Sequence, residues 1–198
     1  RIGEKFLNSG PGFGGSCFKK DILNLVYLSD YFGLPEVGRF WESVVELNIW
    51  NQKRLSKIIK NKLLGNLKGK VIGILGFAFK ANTNDTRESP AMYICKDLLE
   101  EGAFLKIFDP KVDRDKIYKD FNNIELKKGF SNWEVYKNYL DACQDSDAIV
   151  ILTEWSEFKN LDWIEIRNKM NKPAWLFDTR NISNKKQALE VGIKTWHI

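Results

Sequence analysis

Three observations predict an α/β architecture, a long helix followed by a doubly wound parallel sheet. Apolar residues recur at three- and four-residue intervals through residues 36–64, with no proline inside the run. From Lys70 onward, short continuous apolar runs alternate with amphipathic stretches. Parallel strands are buried on both faces and joined by crossover helices, so this alternation predicts a Rossmann-like sheet in the second part of the chain.

The elements follow in order. SGPGFGGSCFKKD is a glycine-rich turn that delivers Cys17 to the first turn of a helix. Phe18, Ile22, Leu25, Val26 and Tyr27 keep near-helical spacing there, and Gly33 with Pro35 ends the helix. The second helix, 36–64, carries Val37, Phe40, Trp41, Val44, Val45, Leu47, Leu55, Ile58, Ile59, Leu63 and Leu64. At about thirty residues it exceeds what one small domain covers, so it is expected to connect domains or to form a partner interface. KVIGILGF reads as a buried strand, followed by a polar loop and a helix starting at Ser89 and Pro90. AFLKIFDP, DAIVILTEW, AWLFDTR and KTWHI read as further strands, with helices expected around 133–142, 161–170 and 185–191. Residues 111–128 are charged and without a period, which predicts a surface insertion. The expected division is 1–66, the cysteine loop and long helices, and 67–198, the sheet.

Composition bounds the function. The 198 residues are 43% hydrophobic and 13% aromatic, too apolar for disorder, and no run reaches the roughly 20 apolar residues of a membrane helix. The net charge of +5 comes from lysines interleaved with acids, which is a solvated surface that still favours an anionic substrate. No motif for nucleic acid or membrane is present. Cys17, Cys95 and Cys143 have neither disulfide-framework nor zinc spacing, which points to a reducing, cytoplasmic setting, with Cys95 and Cys143 as core residues. His197 is the sole histidine, so histidine-dependent triads and metal clusters lack support.

Cys17 is the main chemical candidate. A helix N-terminus favours a thiolate, Lys19 and Lys20 add positive charge, and Asp21 falls one turn later on the same face. A small buried cysteine behind an ordinary glycine turn is the competing explanation. On the sheet, Gly73 and Gly76 of IGILGFAFK miss the GxGxxG spacing, and Asp109 lies too far along to be its ribose-binding acid. A standard dinucleotide site is therefore not expected. Lys80 and Phe79 follow the first strand at the edge where open parallel sheets bind ligands, although Lys80 also fits a solvated loop. Arg87 in NDTRES fits a salt bridge near a helix cap or a ligand contact equally well.

RIGEKFLNSGPGFGGSCFKKD, LGFAFKANTNDTRES and FDTRN, in that order, resemble the nucleotide-sugar 6-dehydrogenases of the UDP-glucose/GDP-mannose dehydrogenase family. The resemblance implies a carboxyl-terminal portion without the amino-terminal NAD-binding domain, a long helix at the core of a homodimer or higher homo-oligomer, and a UDP-sugar-binding sheet. It implies NAD-dependent oxidation of UDP-glucose to UDP-glucuronate in two steps, through a thiohemiacetal and a thioester on Cys17. Asp21 matches the carboxylate that orients or activates water, or stabilises a lysine facing the oxyanion.

By the same resemblance Phe79, Lys80 and Arg180 contact the UDP-sugar, and Phe6, Asn8, Gly10, Phe13, Gly14 and Phe18 belong to its loop. Asn8 stands where animal members usually carry lysine, which puts a charge contact in doubt. Arg1 matches a residue that reaches the sugar nucleotide across the dimer, while Cys17, Lys20 and Arg87 fall on the NAD side. A noncatalytic UDP-sugar-binding and dimerisation module is the alternative, as is a relative acting on GDP-mannose or UDP-N-acetylmannosamine; substrate turnover and competitive binding separate them.

Overall fold

A computed structural model describes residues 3–123 and 132–198. The chain is α/β, as expected: among the described residues it has seven α-helices and a six-stranded sheet in the order β3-β2-β1-β4-β5-β6, every pair parallel. The strands are β1 (Val71–Leu75), β2 (Phe104–Phe108), β3 (Trp133–Val135), β4 (Ala148–Ile151), β5 (Trp175–Asp178) and β6 (Lys194–His197). β1 and β4 lie side by side although β2 and β3 intervene in sequence, so the strand order reverses between them. Such a reversal opens a crevice at the carboxyl ends of the strands. β4 is buried at all four positions, which a strand covered by helices on both faces requires.

Two helices precede the sheet. α1 (Phe18–Tyr31) turns through Gly33, at φ +72°, into α2 (Pro35–Lys62), with Pro35 at the first helical position. At 28 residues α2 is roughly 42 Å long. Its second half buries Gln52, Leu55, Ser56 and Ile59, and Leu55 and Ile59 join the core cluster that includes the sheet. In its first half only Gly38 and Val45 are buried. Phe40, Leu47 and Trp50 stand 61%, 62% and 57% exposed, and Tyr27, Tyr31 and Phe32 of the α1 end are exposed beside them in sequence.

The crossovers explain the core. α3 (Pro90–Glu100) starts at Ser89, whose hydroxyl accepts from the Ala91 N–H and donates to the Phe77 carbonyl at 2.8 Å. One side chain thus caps the helix and ties it to the end of β1. α5 (Tyr139–Cys143), α6 (Trp163–Lys169) and α7 (Lys185–Glu190) are capped in the same manner by Asn138, Asp162 and Asn184. Cys95 and Cys143 are fully buried, and burial pushes both thiols well above the ordinary cysteine range.

Two expectations require correction. Residues 111–128 are not simply a surface insertion, because 114–123 form α4 (Arg114–Asn123), while 124–128 lie outside the described residues. Ile117 and Phe121, one turn apart, form a two-residue apolar stripe that the surrounding charges conceal. Phe121 packs edge-on against Phe77 at 5.5 Å and Trp133 at 5.1 Å between ring centroids. The helix expected at 133–142 is instead β3 followed by α5, and only the second part is helical. Trp133 and Val135 suit a pleated, half-buried surface, and they pair with Leu105 and Ile107 of β2.

The Phe121 contacts generate a test. Phe121→Ala should destabilise the fold by about 3 kcal/mol, read from urea unfolding, because it empties the space between β1, β3 and α4. A loss below about 1 kcal/mol would show that α4 is not integral to the core.

Candidate active site

The carboxyl edge of the sheet is assembled from three loops, those after β1, β4 and β5, and Arg180 joins them. Its Nε donates to the Leu152 carbonyl at 2.9 Å and its Nη2 to the Phe79 carbonyl at 3.2 Å, while Nη1 lies 3.2 Å from Glu154 Oε2. The side chain is 13% exposed, and burial lowers its pKa, with Glu154 and Asp178 opposing the shift. Asp178, at the end of β5, fixes the loop that carries Arg180. Its carboxylate accepts from the N–H groups of Arg180, Ile182 and Ser183 and from the Ser183 hydroxyl.

Asp109 plays the equivalent part after β2. Its carboxylate accepts from the N–H groups of Phe77 and Ala78 at 2.7 and 3.0 Å, from those of Lys111 and Val112, and from the Trp155 indole. Consecutive backbone N–H groups after a first strand can cradle a pyrophosphate, but here the chain's own carboxylate fills that place. Gly76, at φ +93°, packs against Thr153 too closely for any side chain. This edge therefore does not fit a dinucleotide in the manner of the GxGxxG turn.

The glycine-rich loop is pinned to both halves of the molecule. From α2, the Asn48 amide accepts from the Phe13 N–H at 2.9 Å and donates to the Phe13 carbonyl at 3.1 Å, and Asn51 donates to the Gly10 carbonyl at 3.3 Å. From the loop after β1, the Arg87 carbonyl accepts from the Gly15 N–H at 2.8 Å. Gly14 lies on the Glu88 carbonyl and the Phe79 side chain, and Gly15, at φ +85°, lies on the Phe79 ring. A Cβ at Gly14 would collide with the Glu88 carbonyl, so glycine is required there by close approach.

This docking places Cys17. It is exposed at the N-cap of α1, with Ser16 Oγ 3.7 Å from its sulfur, and no side chain caps the first N–H groups of the helix. The Arg87 guanidinium is bidentate on Asp85, with Nε to Oδ1 at 2.9 Å and Nη2 to Oδ2 at 2.7 Å. That hydrogen bond is the main cause holding Asp85 below the usual carboxylate range. Asp85 raises the Arg87 pKa. The ion pair named as one reading of Arg87 is thus present, beside the thiol.

Lys19 is committed elsewhere: its Nζ lies 2.8 Å from Glu88 Oε2, the oxygen that also accepts from the Tyr93 hydroxyl at 2.9 Å. Its charge is therefore shared with Glu88 rather than given wholly to Cys17. These groups border a cleft of about 350 Å³ between α2 and α3, lined also by Asn48, Gln52 and Asp97.

The remaining sequence candidates are placed as follows. Gly10 touches the Arg180 guanidinium. Lys80 is exposed, with Nζ 5.4 Å from the Phe79 ring centre. Phe13 and Phe6 pack edge-on against Phe18, at 4.6 and 6.2 Å. Asp21 and Lys20 are exposed on the first turn of α1, and Asn8 is exposed after a 3₁₀ turn at Glu4–Leu7. Arg1 lies outside the described residues. Sequence reasoning missed Asn48, Asn51, Glu88, Tyr93 and Glu154. The cluster of Asn48, Asn51 and Gln52 within an otherwise apolar helical pattern was the signal for the first two.

His197 ends β6 with its side chain 8% exposed and Nδ1 3.7 Å from Asp178 Oδ2. Burial depresses its pKa, with Asp178 opposing and Lys185 assisting. Its stabilising contribution is complete above the unfolded value of about 6.5 and is lost as pH falls through the depressed folded value. The urea midpoint should therefore drop on acidification from about pH 7 to about pH 5.5, and His197→Phe should flatten that decline. A midpoint that rose with acid would reverse the sign assigned here.

Known proteins resemble this chain in two stretches. Residues 73–185 match the family model "UDP-glucose/GDP-mannose dehydrogenase family, UDP binding domain", and residues 1–50 match that family's central domain. A UDP-glucose 6-dehydrogenase of Arabidopsis thaliana is 43% identical over all of this chain and 44% of its own length. The UDP-glucose 6-dehydrogenase of Bos taurus is 45% identical over 98% of this chain and 41% of its own. A solved UDP-glucose dehydrogenase from Pyrobaculum islandicum aligns over 100% of this chain and 40% of its own with a TM-score of 0.75, at 27% identity. The chain spans less than half the length of these relatives.

Proposed function

The chain belongs to the UDP-glucose/GDP-mannose dehydrogenase family, and from that premise we propose that it is the nucleotide-sugar half of an NAD-dependent UDP-glucose 6-dehydrogenase. One observation carries the reading. The exposed Cys17 thiol and the ligand-binding edge of the sheet are joined through Gly14 and Gly15, which seat the cysteine loop on the turn from Asp85 to Ser89.

In the proposed reaction the C6 alcohol of UDP-glucose becomes the carboxylate of UDP-glucuronate. The Cys17 thiolate adds to the C6 aldehyde carbon, forming a C–S bond and a thiohemiacetal. Once this adduct is at the thioester level, water attacks the acyl carbon and the thiolate leaves. At the N-cap the Cys17 sulfur stands by the first N–H groups of α1, which no side chain caps. We assign to Asp21, one turn along, the part of orienting or activating that water. Phe79, Lys80 and Arg180 hold the UDP-sugar, with Lys80 as the exposed cation and Arg180 as the group that shapes the edge. Phe6, Asn8, Gly10, Phe13, Gly14 and Phe18 form the loop over the sugar, and the resemblance assigns Arg1 a contact with the sugar nucleotide across the dimer.

NAD is the hydride acceptor in this scheme. The place after β1 is filled by Asp109, so we assign the cofactor to the part of the relatives' length that this chain does not span, with Cys17, Lys20 and Arg87 facing it. No step is derived through it. The exposed apolar face of α1 and the first half of α2, with Tyr31, Phe40, Leu47 and Trp50, suits a second copy of the chain and supports a homodimer or higher homo-oligomer. We place the protein in the cytoplasm, where the Cys17 thiol stays reduced.

Two substitutions test the roles. In the complete protein, Cys17→Ser should abolish the second oxidation, or trap the aldehyde-level adduct, while UDP-glucose binding persists; unchanged turnover would remove Cys17 as nucleophile. Lys80→Ala should weaken UDP-glucose binding on the order of tenfold by titration calorimetry. Equal affinity in the variant would show that Lys80 is a solvated loop residue.

A further inference from the structure

We propose that Glu88 is a positioning residue that sets where the Cys17 thiol stands relative to the nucleotide edge. The inference rests on the reading of Cys17 as nucleophile. Glu88 holds a backbone angle of φ +52°, a left-handed conformation that is strained for a residue with a side chain. Neither glycine nor asparagine occupies the position, so the conformation is maintained by what surrounds it.

Both faces of this residue meet the cysteine loop. Its carbonyl lies under Gly14, and the preceding carbonyl, that of Arg87, takes the Gly15 N–H. Its carboxylate Oε2 takes Lys19 Nζ at 2.8 Å and the Tyr93 hydroxyl at 2.9 Å. Lys19 is two residues after Cys17 in the first turn of α1, Tyr93 is in α3, and Glu88 immediately precedes the Ser89 cap of α3. One side chain therefore connects the start of the cysteine helix to the helix that follows β1.

Burial, with Glu88 beside it, pushes the Tyr93 hydroxyl up to about 12, so it remains a donor throughout the neutral range. The Lys19–Glu88 pair is about one-third exposed at each partner, and such pairs contribute little to stability. What the pair provides is register. The glycines before Cys17 offer many backbone conformations, and the loop needs fixed contacts on both sides to present the thiol in one place.

The experiment uses the complete protein with four variants: Glu88→Gly, Lys19→Glu, the exchange Lys19→Glu with Glu88→Lys, and Cys17→Ser. Two readouts are needed: kcat and KM for UDP-glucose, and the pH profile of Cys17 alkylation by iodoacetamide followed on the Cys17 peptide. Glu88→Gly suits the left-handed backbone, so it removes the carboxylate without costing the fold, and its urea midpoint should not fall. Its kcat should fall about tenfold or more with KM within about twofold, and its alkylation profile should shift. Lys19→Glu should lower kcat in the same way, and the exchange should recover most of it.

If Cys17→Ser abolishes the second oxidation while Glu88→Gly keeps wild-type kcat, the positioning role is overturned and the nucleophile stands. Failure of the exchange to recover activity also overturns it. If Cys17→Ser leaves oxidation intact, the nucleophile reading falls, and the alkylation profile alone decides for Glu88. An unshifted profile in Glu88→Gly then overturns the docking role; a shifted one sustains it.

Discussion

Buried carboxylates hold the ligand-facing edge of the sheet in shape, and the candidate site depends on that edge. Asp109 gathers backbone N–H groups from the loops after β1 and β2 together with the Trp155 indole, and Asp178 gathers those of the loop after β5. Parallel strands end with N–H groups and carbonyls that have no ladder partner, and leaving them buried without one costs about 1–3 kcal/mol each. In dinucleotide-binding relatives of this topology a bound pyrophosphate meets some of that need. Here side chains meet it, so the edge keeps its shape through the chain's own carboxylates.

Much of this was legible in the sequence, for a physical reason. Strands buried on both faces must be continuously apolar, so β1 and β4 announce themselves; β2 and β5 are apolar but for Lys106 and the closing Asp178, and Pro35 and Ser89–Pro90 mark where helices begin. Elements whose burial is small were not legible. α4 buries two side chains among ten residues, and the three-residue β3 shows its alternation only once. At the site, Cys17 and Arg180 could be named from motifs and an ion pair at Arg87 was one reading, but pairing between charges distant in sequence could not be read. Lys19 was read as a helper of Cys17 and turns to Glu88, which is 69 residues away in sequence. Glu88 itself had no local signal, because both its strained backbone and its partners are properties of the folded loop.

The two halves of α2 obey different rules. The second half is an ordinary amphipathic helix whose apolar stripe lies in the domain core. The first half bears apolar side chains that α1 and the sheet leave uncovered, yet on this same half Asn48 grips the Phe13 backbone. A single rigid rod thus serves the core at one end and the cysteine loop near its middle. Bending it would move the loop relative to the sheet, and beyond Pro35 at its first position it carries no proline that would permit a kink.

The parallel sheet also imposes an order of assembly. β1 is flanked by β2 and β4, and Ile72 sits opposite Ala148, so the central strand waits for more than a third of the chain before both of its edges are paired. The α1–α2 pair needs only neighbouring residues and can form early, since local contacts close at low entropic cost. A nascent chain emerging amino-terminus first would thus present Cys17 and the bare apolar helices well before the sheet exists to receive them. The seat of the cysteine loop on the turn from Asp85 to Ser89 is thus among the later contacts to close.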